Sequence, residues 1–396
     1  MDIDRRDWDV VVVGLGALGS AATYWASTRP GTRVLGLERF ELGHANGASA
    51  DHSRIIRRSY HRPDYVRLAD RAYTTWAEVE AESGDRIVTV TGGLDLWPAE
   101  PAILQSDYTT SLAAEGVPYE LLDASEVIRR WPQWRLSDDV TAMYQADGGL
   151  ADPYRGNAAH RRLAVGRGAT IVDRMPVTAI RPVGGGSAAY EVDAGGTTFE
   201  AGRVIVTADA WTNELLASFH LRLPLTVTKE QVTYVAAPDP GAFAPDRFPV
   251  WIWMDEPSFY GFPTYGEAGP KIAQDCGGQV TTPETRTFER DQAAYARVRD
   301  FLERHLPDAV GPDILTKTCL YTLTPDRDFV IDRLPDAPGV VVGLGAAHGF
   351  KFASVLGRIL VELALDGSSP SDGELGRFRI DRPILLEATP RTSWMV

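Results

Sequence analysis

The sequence contains very little lysine. Of its 396 residues only four are lysines, Lys229, Lys271, Lys317 and Lys351, although lysine and arginine together number 40. Genomic base composition explains a general preference for arginine. A lysine that persists in such a chain nevertheless flags a position where a compact ammonium is needed and the planar fork of arginine does not fit.

Cysteine is scarce as well, and the chain has no excess of positive charge. Only Cys276 and Cys319 occur, which is too few for a disulfide framework or a cysteine-rich metal site. Acidic residues number 54 against 40 basic ones, a net charge of −14. This sign argues against binding to nucleic acid or to an anionic membrane. We expect no bound metal.

Long apolar runs are also missing. The apolar stretch at residues 10–13 is short and is followed at once by glycine, and the residues before it are mostly charged. Neither a secretory signal nor a membrane-spanning helix has this pattern. We therefore expect a cytoplasmic protein, and its length predicts two or three folding units with cores of their own.

A glycine-rich motif predicts a dinucleotide-binding βαβ unit. Gly14, Gly16 and Gly19 follow a β-branched run and open a helix-compatible stretch, and an acidic residue, Glu38, comes 19 positions after the third glycine. In such a unit the first glycine permits a tight turn, the second lets a pyrophosphate approach the backbone, and the third lets helix and strand pack closely. The acidic residue binds ribose hydroxyls. The alternative is a structural turn with Glu38 on the surface.

The rest of the chain alternates between two patterns. Residues 63–82 have the apolar spacing of an amphipathic helix, whose aromatic side chains are expected in the core. Short β-rich pieces within 87–97 and 226–323, separated by Gly, Pro and Asp, predict a largely antiparallel sheet. An α/β pattern returns at 152–207, which includes a glycine-rich turn at 184–186, and again after 329.

We therefore predict an α/β fold, α+β overall, in which two domains interleave. A Rossmann-like nucleotide-binding domain takes residues 1–86, 149–222 and 326–396. A substrate domain built on the largely antiparallel sheet takes residues 87–148 and 223–325.

Four groups of residues together resemble one family. They are Ser53-Arg54-Ile-Ile-Arg57, Tyr260-Gly-Phe-Pro263 with Lys271 beyond it, Cys319-Leu-Tyr321-Thr with Asp328-Phe-Val-Ile-Asp332 after it, and His348-Gly-Phe-Lys351-Phe. From Gly14 to Pro383 the chain resembles the monomeric sarcosine oxidase and N-methyltryptophan oxidase group of FAD-dependent amine oxidases, in the D-amino-acid oxidase superfamily. The resemblance implies that the Rossmann-like domain binds FAD.

The resemblance further implies that Cys319 carries the FAD through a thioether to the flavin 8-methyl carbon. From the residues alone, a lone cysteine in a strand is usually a small buried hydrophobe. Lys317, two positions away, would share its strand face, and a nearby cation favours the reactive thiolate. Cys276 has no counterpart in the family and is expected to be structural. The residues expected around the cofactor are Gly14, Gly16, Ala17, Leu18, Gly19, Glu38, Arg39, Ser49, Arg54, Val177, Trp211, Cys319, His348, Gly349, Phe350 and Lys351.

The substrate site is also implied by the resemblance. Arg57 and Lys351 would bind the substrate carboxylate, where two cations on one anion make strong charge-assisted contacts. Arg54 would lie beside the flavin ring, and His348 would be a neighbour of the cofactor rather than an acid or base. The alternative for Arg54 and Arg57 is a pair of surface arginines.

Three further residues have expected roles in catalysis or in shaping the pocket. Lys271 resembles the family lysine that faces the flavin N5 through water, where a fixed ammonium stabilises the superoxide that forms from O₂. Tyr260 and Tyr321 resemble tyrosines that shape the pocket. The alternatives are a surface lysine with an extended side chain and two core tyrosines with hydrogen-bonded hydroxyls.

Three positions depart from the family pattern. The family often has histidine where this chain has Ala50 and Asp275, and glycine where it has Asp209. We expect the smaller Ala50 to enlarge the substrate pocket and favour substrates bulkier than sarcosine. Asp275 would contact either the pocket or Lys271. Asp209 leaves the FAD contact around Trp211 open.

These features predict a flavoprotein oxidase of a secondary or N-methylated amino acid. It would take a hydride equivalent from the carbon next to nitrogen and pass the electrons to O₂, giving H₂O₂ and an imine that hydrolyses. Its partners would be the small amine and O₂, and the protein would be a monomer. Alternatives are an oxidase of another amine, such as a sugar-amine adduct or a cyclic imino acid, and a non-catalytic flavin-binding partner.

Overall fold

The computed structural model describes residues 5–184 and 189–393, so part of the glycine-rich turn predicted at 184–186 lies outside the described residues. In chain order the strands are β1 (Asp7–Val13), β2 (Val34–Leu37), β3 (Arg54–Ile56), β4 (Val88–Val90), β5 (Gly93–Trp97), β6 (Glu120–Asp123), β7 (Thr141–Gln145), β8 (Gly149–Ala151), β9 (Thr170–Val172), β10 (Val177–Pro182), β11 (Tyr190–Ala194), β12 (Thr197–Val206), β13 (Thr226–Val235), β14 (Val250–Trp253), β15 (Phe259–Phe262), β16 (Lys271–Gln274), β17 (Gln279–Val280), β18 (Asp313–Leu323), β19 (Val330–Leu334) and β20 (Ala337–Leu344). The helices are α1 (Ala17–Ser27), α2 (Pro63–Ser83), α3 (Gln105–Ala114), α4 (Ala124–Arg130), α5 (Pro153–Gly166), α6 (Thr212–Leu216), α7 (Gln292–His305), α8 (Ala353–Leu365), α9 (Asp372–Leu375) and α10 (Pro383–Leu386).

An eight-stranded sheet is built around β1. It runs in the order β10-β11-β12-β1-β2-β9, with β20 paired to β12 and β19 paired to β20. β1 pairs in parallel with both β2 and β12. Val10 and Val12 pack on the face covered by α1 and α8, whereas Val11 and Val13 are buried on the other face. A parallel strand buried on both faces is a continuous apolar run, as this one is.

The second sheet has nine strands. Its order is β17-β13-β16-β15-β14-β5-β7-β6, and β18 pairs with β13. Every pairing in it is antiparallel except that of β14 with β5. A small three-stranded sheet, β3-β8-β4, completes the strand pairing and carries Arg54 opposite Ala151. The predicted fold class, with its largely antiparallel second sheet, is confirmed.

The eight-stranded sheet collects strands from three separate parts of the chain, 7–37, 170–206 and 330–344. This is the order that interleaved domains require, while the residue boundaries given above stay a prediction. The amphipathic helix expected at 63–82 is α2, and its Tyr65 and Trp76 are fully buried. None of the helices in the described part of the chain is long and apolar enough to cross a lipid bilayer.

Candidate active site

The turn between β1 and α1 forms a cradle of bare backbone. Gly14 has φ = +86°, and a Cβ there would lie 2.7 Å from the Thr207 carbonyl oxygen. A Cβ on Gly19 would lie 1.8 Å from the Gly14 carbonyl oxygen, so helix and strand could not pack as they do. Gly16 is the N-cap residue of α1 and provides no side-chain cap. The Ala17 N–H donates to Ser49 Oγ at 3.0 Å, and the helix presents its positive dipole end to an anion.

Glu38 lies at the end of β2 beside this cradle. Its buried carboxylate accepts hydrogen bonds from the backbone N–H groups of Leu15 (2.7 Å) and Phe40 (3.0 Å) and contacts His44 Nε2 (3.2 Å). Burial acts to raise its pKa, but these hydrogen bonds outweigh burial and lower it. The carboxylate is thus ionised and held in place, which excludes the alternative of a surface side chain.

Two cavities meet at the start of α1. The outer one includes Glu38, and the inner one includes Arg57, Tyr260 and Lys351. Because the two share wall residues, they form one continuous cleft. The residues that line both cavities are Gly16, Ala48, Ser49, Thr207 and Asp209.

Most residues expected around the cofactor line this cleft. Those of the outer cavity are Gly14, Gly16, Glu38, Arg39, Ser49, Val177 and Trp211. Those of the inner cavity are Ala17, Leu18, Arg54, His348, Gly349, Phe350 and Lys351. Gly19 lies behind the wall and acts through packing.

The chemistry of the cleft fits FAD. The glycine cradle suits a pyrophosphate and Glu38 suits a ribose. Two buried acceptors, Asn157 Oδ1 in the outer cavity and His348 Nδ1 in the inner one, have no hydrogen-bond partner among the described residues. Buried polar atoms are rarely left unsatisfied, so these two atoms indicate a polar ligand. Within the same residues no three His, Cys, Asp or Glu side chains are grouped so as to hold a metal ion.

Two predicted substrate-binding cations reach the inner cavity, in different states. Arg57 is buried and its guanidinium pairs with Asp95 (Nη1–Oδ1 3.2 Å). Lys351 has no ion-pair partner among the described residues, and its ammonium lies 5.5 Å from the centre of the Tyr60 ring. Removal from water and the charge of Arg57 lower the pKa of Lys351 to about 7. Lys351 is therefore the cation of this wall that lacks an anion.

Lys271 is buried, with 1% of its side chain exposed, which excludes the surface alternative. Its ammonium contacts Asp51 Oδ2 at 3.0 Å, donates to the Ser53 carbonyl at 2.6 Å and lies 3.8 Å from the centre of the Phe262 ring. Phe262 lines the inner cavity. Burial lowers the pKa of Lys271 to about 8, although the charge of Asp51 opposes the shift.

Asp275 lines the inner cavity and contacts neither Lys271 nor its partner Asp51. Its carboxylate faces the buried Arg327 (Oδ2–Nη1 3.4 Å), which also contacts Cys276 Sγ at 2.6 Å. Of the two alternatives for Asp275, the structure therefore favours the pocket.

Tyr260 on β15 and Tyr321 on β18 form another part of the inner wall. Their hydroxyls are 3.4 Å apart. Cys319 shares a strand face with Tyr321, since the two are separated by the buried Leu320. Both tyrosines line the cavity, so the side chains do not belong to a closed core.

One expectation about a neighbour is wrong. Lys317 does not act on Cys319, because its ammonium pairs with Asp51 (3.2 Å) and Glu267 (3.1 Å). Burial raises the pKa of the Cys319 thiol to about 11, and the cations that oppose this are Arg54 and Arg286. Ala48 and Ser49 line the inner cavity, and the Ala50 carbonyl accepts from Arg54 Nη2 (2.6 Å), so the effect of Ala50 on the substrate pocket stays a prediction.

Asp209 lies where both cavities meet, at φ = +46°. Burial raises the pKa of its carboxyl to about 6, although a hydrogen bond with Thr322 acts in the opposite direction. The left-handed backbone explains why glycine is common here.

Sequence reasoning missed several charged residues of the site. Arg161 on α5 lines the outer cavity and donates to the Leu15 carbonyl (3.3 Å) beside the cradle. Three further residues pair with charged groups described above: Asp51 with Lys271, Asp95 with Arg57, and Arg327 with Asp275. The partners named above are 38 to 220 positions away in the chain, so local spacing does not reveal these pairs. Asp51 also lies 3.7 Å from Arg54, three positions further along the chain.

Comparison with known proteins shows the family to which the chain belongs. A family model described as FAD dependent oxidoreductase matches residues 9–363. The monomeric sarcosine oxidase of Streptomyces avermitilis is 37% identical over 371 residues, which cover 91% of this chain and 94% of that protein. The N-methyl-L-tryptophan oxidase of Yersinia pestis is 31% identical over 382 residues, 94% of this chain and 100% of that protein.

A solved structure is similar over nearly the whole fold. NikD, described as an unusual amino acid oxidase essential for nikkomycin biosynthesis, superposes with a TM-score of 0.82 at 27% identity, covering 94% of this chain and 97% of that one. L-proline dehydrogenase from P. horikoshii, at 20% identity and a TM-score of 0.78, shares the fold.

Proposed function

The chain belongs to the FAD-dependent oxidoreductases, in the sarcosine oxidase and N-methyltryptophan oxidase group, and from that premise we propose that it oxidises a secondary or N-methylated amino acid with O₂. When bound, FAD would supply two-electron chemistry: a hydride equivalent would leave the carbon next to the amine nitrogen, the amine N–H proton would go to solvent, and an imine would remain. O₂ would take up the two electrons with one proton from the cofactor and one from solvent, giving H₂O₂. The protein's part is to hold the cofactor, orient the amine and place charge.

The cofactor would lie along the cleft. The α1 amides and Arg161 would face the pyrophosphate, and Glu38 would take the ribose. Cys319 would bind the flavin covalently. That bond forms with loss of the thiol hydrogen and one hydrogen of the 8-methyl group, while O₂ takes up the two electrons and two protons.

The state of Lys351 carries the proposal. An ammonium enclosed in a cavity wall without a counter-ion is costly, and a substrate carboxylate would supply the missing anion. Arg57 would add a second donor while Asp95 holds it in place. The amine of an α-amino acid bound this way is a short, fixed distance from the carboxylate, so one anchor positions the reacting C–H bond.

Lys271 would serve the second half-reaction. Its buried ammonium lies behind Phe262, which lines the inner cavity. Negative charge that develops on O₂ during reduction would be stabilised by this fixed cation.

We also propose that the protein acts as a monomer.

A matched pair of substrates tests the carboxylate anchor. Sarcosine and dimethylamine share the N-methyl group and differ in the carboxylate, as do N-methyl-L-tryptophan and N-methyltryptamine. We expect peroxide formation from the acids, with kcat/KM at least about tenfold above that for the matched amines, since a charge-assisted contact contributes about 1.5–3 kcal/mol. Equal oxidation of both members of each pair would contradict the proposal.

A further inference from the structure

A chain of charged side chains leads from Lys271 to the protein surface, and Asp51 is at its centre. Asp51 Oδ2 contacts the Lys271 ammonium at 3.0 Å, and Oδ1 contacts the Lys317 ammonium at 3.2 Å. Lys317 also pairs with Glu267 at 3.1 Å, and Glu267 contacts His52 Nε2 at 3.0 Å. Exposure rises along the chain, from 1% for the Lys271 side chain to 31% for that of Lys317.

Asp51 adopts a backbone conformation that its residue type disfavours. Its φ is +96°, and the residue is 5% exposed. A non-glycine residue in this region is strained and persists only where its surroundings hold it there. The Tyr234 hydroxyl donates to Oδ1 at 2.7 Å, and together with the two lysines it supplies that restraint. Such strain is typical of functional sites, where a side chain must occupy a particular place.

The charges around Lys271 explain what Asp51 does there. The groups that act on its ammonium from neighbouring elements are Asp51 on the loop before β3, Arg54 on β3 and Cys319 on β18. Arg54 also lies 3.7 Å from Asp51 Oδ2, whereas Tyr234 on β13 and Lys317 on β18 contact Asp51 Oδ1. Arg54 is a cation and disfavours a second positive charge nearby. The Asp51 carboxylate is the nearest anion, and it contacts Lys271 directly. Without it, burial and repulsion would both favour the neutral amine.

We propose that Asp51 is a positioning residue that keeps Lys271 protonated and in place behind Phe262 of the inner wall, and so sustains the reaction of the reduced enzyme with O₂. The inference rests on the proposed function. It adds that Lys271 depends on a carboxylate this chain supplies from the loop before β3. Lys271 would provide charge only. The two electrons come from the reduced cofactor, and the two protons of H₂O₂ come from the cofactor and solvent.

Asp51 is shared between two lysines, which gives the proposal a directional test. Asp51→Asn removes the anion at nearly constant volume, and Asp51→Gly removes it in a residue that adopts φ = +96° without strain. Both should lower the pH at which Lys271 titrates. Lys317→Met removes the competing cation, so it should raise that pH or leave it unchanged.

The scarcity of lysine makes the titration directly observable. With lysine labelled at Cε by ¹³C, the protein gives four lysine signals, assigned by deleting each lysine in turn. We expect the Lys271 midpoint in Asp51→Asn and Asp51→Gly to fall by at least about one pH unit, the usual effect of losing an adjacent opposite charge. Lys229→Met is the matched control, because Lys229 bonds to Thr287 and Glu289 away from this chain of charges. An unchanged Lys271 midpoint in both Asp51 variants would overturn the proposal.

Stopped-flow reoxidation separates this inference from the proposed function. We expect the rate constant for O₂ to fall with rising pH, and the fall to move to lower pH in Asp51→Asn by the shift found by NMR. If reoxidation by O₂ is slow in Lys271→Met but has the wild-type pH profile in Asp51→Asn, the inference alone is overturned. Wild-type reoxidation in Lys271→Met would overturn both the role of Lys271 and the inference, while leaving substrate oxidation unaffected.

Discussion

The cations at the inner wall and directly behind it differ in whether a carboxylate pairs with them. Arg57 is paired with Asp95, Arg327 with Asp275 and Lys271 with Asp51. Lys351 has no such pair among the described residues. The unpaired ammonium of Lys351 therefore supports the proposal that the site binds a substrate carboxylate and holds it at one position.

Replacing Lys351 by Met should weaken carboxylate binding by about tenfold to a hundredfold, because a charge-assisted contact of about 1.5–3 kcal/mol is lost. The pKa of Lys351 is lowered to about 7, so its charge is lost as pH rises through that value. Acetate affinity of the wild type should therefore decrease above pH 7, and that of Lys351→Met should be nearly independent of pH. Perturbation of the flavin spectrum by acetate measures both, with Lys229→Met as control. A parallel pH dependence in wild type and Lys351→Met would contradict this role.

Cys319 should retain flavin through unfolding. After acid precipitation the wild-type pellet should stay yellow, because a thioether survives loss of the fold, and Cys319→Ala should release its flavin into the supernatant. Cys276→Ala is the matched control, since the Cys276 thiol contacts Arg327 and does not line either cavity, and its pellet should stay yellow. A colourless wild-type pellet with a fluorescent supernatant would show that the cofactor is not covalent.

At the scale of elements, the turn from β1 into α1 offers a substitution that should weaken cofactor binding without unfolding the protein. A Cβ on Gly16 would meet only the side chain of Ser49, at 3.0 Å, so Gly16→Ala should fold with a melting temperature close to that of the wild type. The methyl group would occupy the space needed by the pyrophosphate, and the flavin content should fall sharply. Gly166→Ala at the end of α5 has open space around its Cβ and should keep its flavin. Full flavin occupancy in Gly16→Ala would place the diphosphate elsewhere.

Local patterns predicted the elements with short-range signals well. The βαβ start and α2 follow from glycine spacing and apolar periodicity, which act within a few residues. The environment of Lys271 depends on Asp51, 220 positions away, and that of Asp275 on Arg327, 52 positions away. Strand periodicity placed Lys317 on the face of Cys319 but could not reveal that the ammonium turns to Asp51 and Glu267. The hydrogen bond from Arg54 to the Ala50 carbonyl could not be predicted from the side chain of Ala50, because it uses the backbone.

On the scale of the whole molecule, the cleft draws its walls from both large sheets. The cradle and Glu38 follow strands of the eight-stranded sheet at their carboxyl ends, where open α/β sheets bind ligands. Tyr260 and Tyr321 come from the nine-stranded sheet. Arg54 comes from the small sheet. With this division, one sheet would hold the cofactor while the other would form the wall of the substrate pocket.

The most direct test of the proposed oxidase activity separates the two half-reactions in one vessel. The purified protein is mixed anaerobically with sarcosine, N-methyl-L-tryptophan or another N-methyl amino acid, and O₂ is then admitted. We predict that at least one of these amino acids bleaches the visible flavin absorbance and that O₂ restores it, with one H₂O₂ formed for each flavin reoxidised. Flavin that stays oxidised with every secondary and N-methyl amino acid, or that is bleached and then restored without peroxide, would contradict the proposed function.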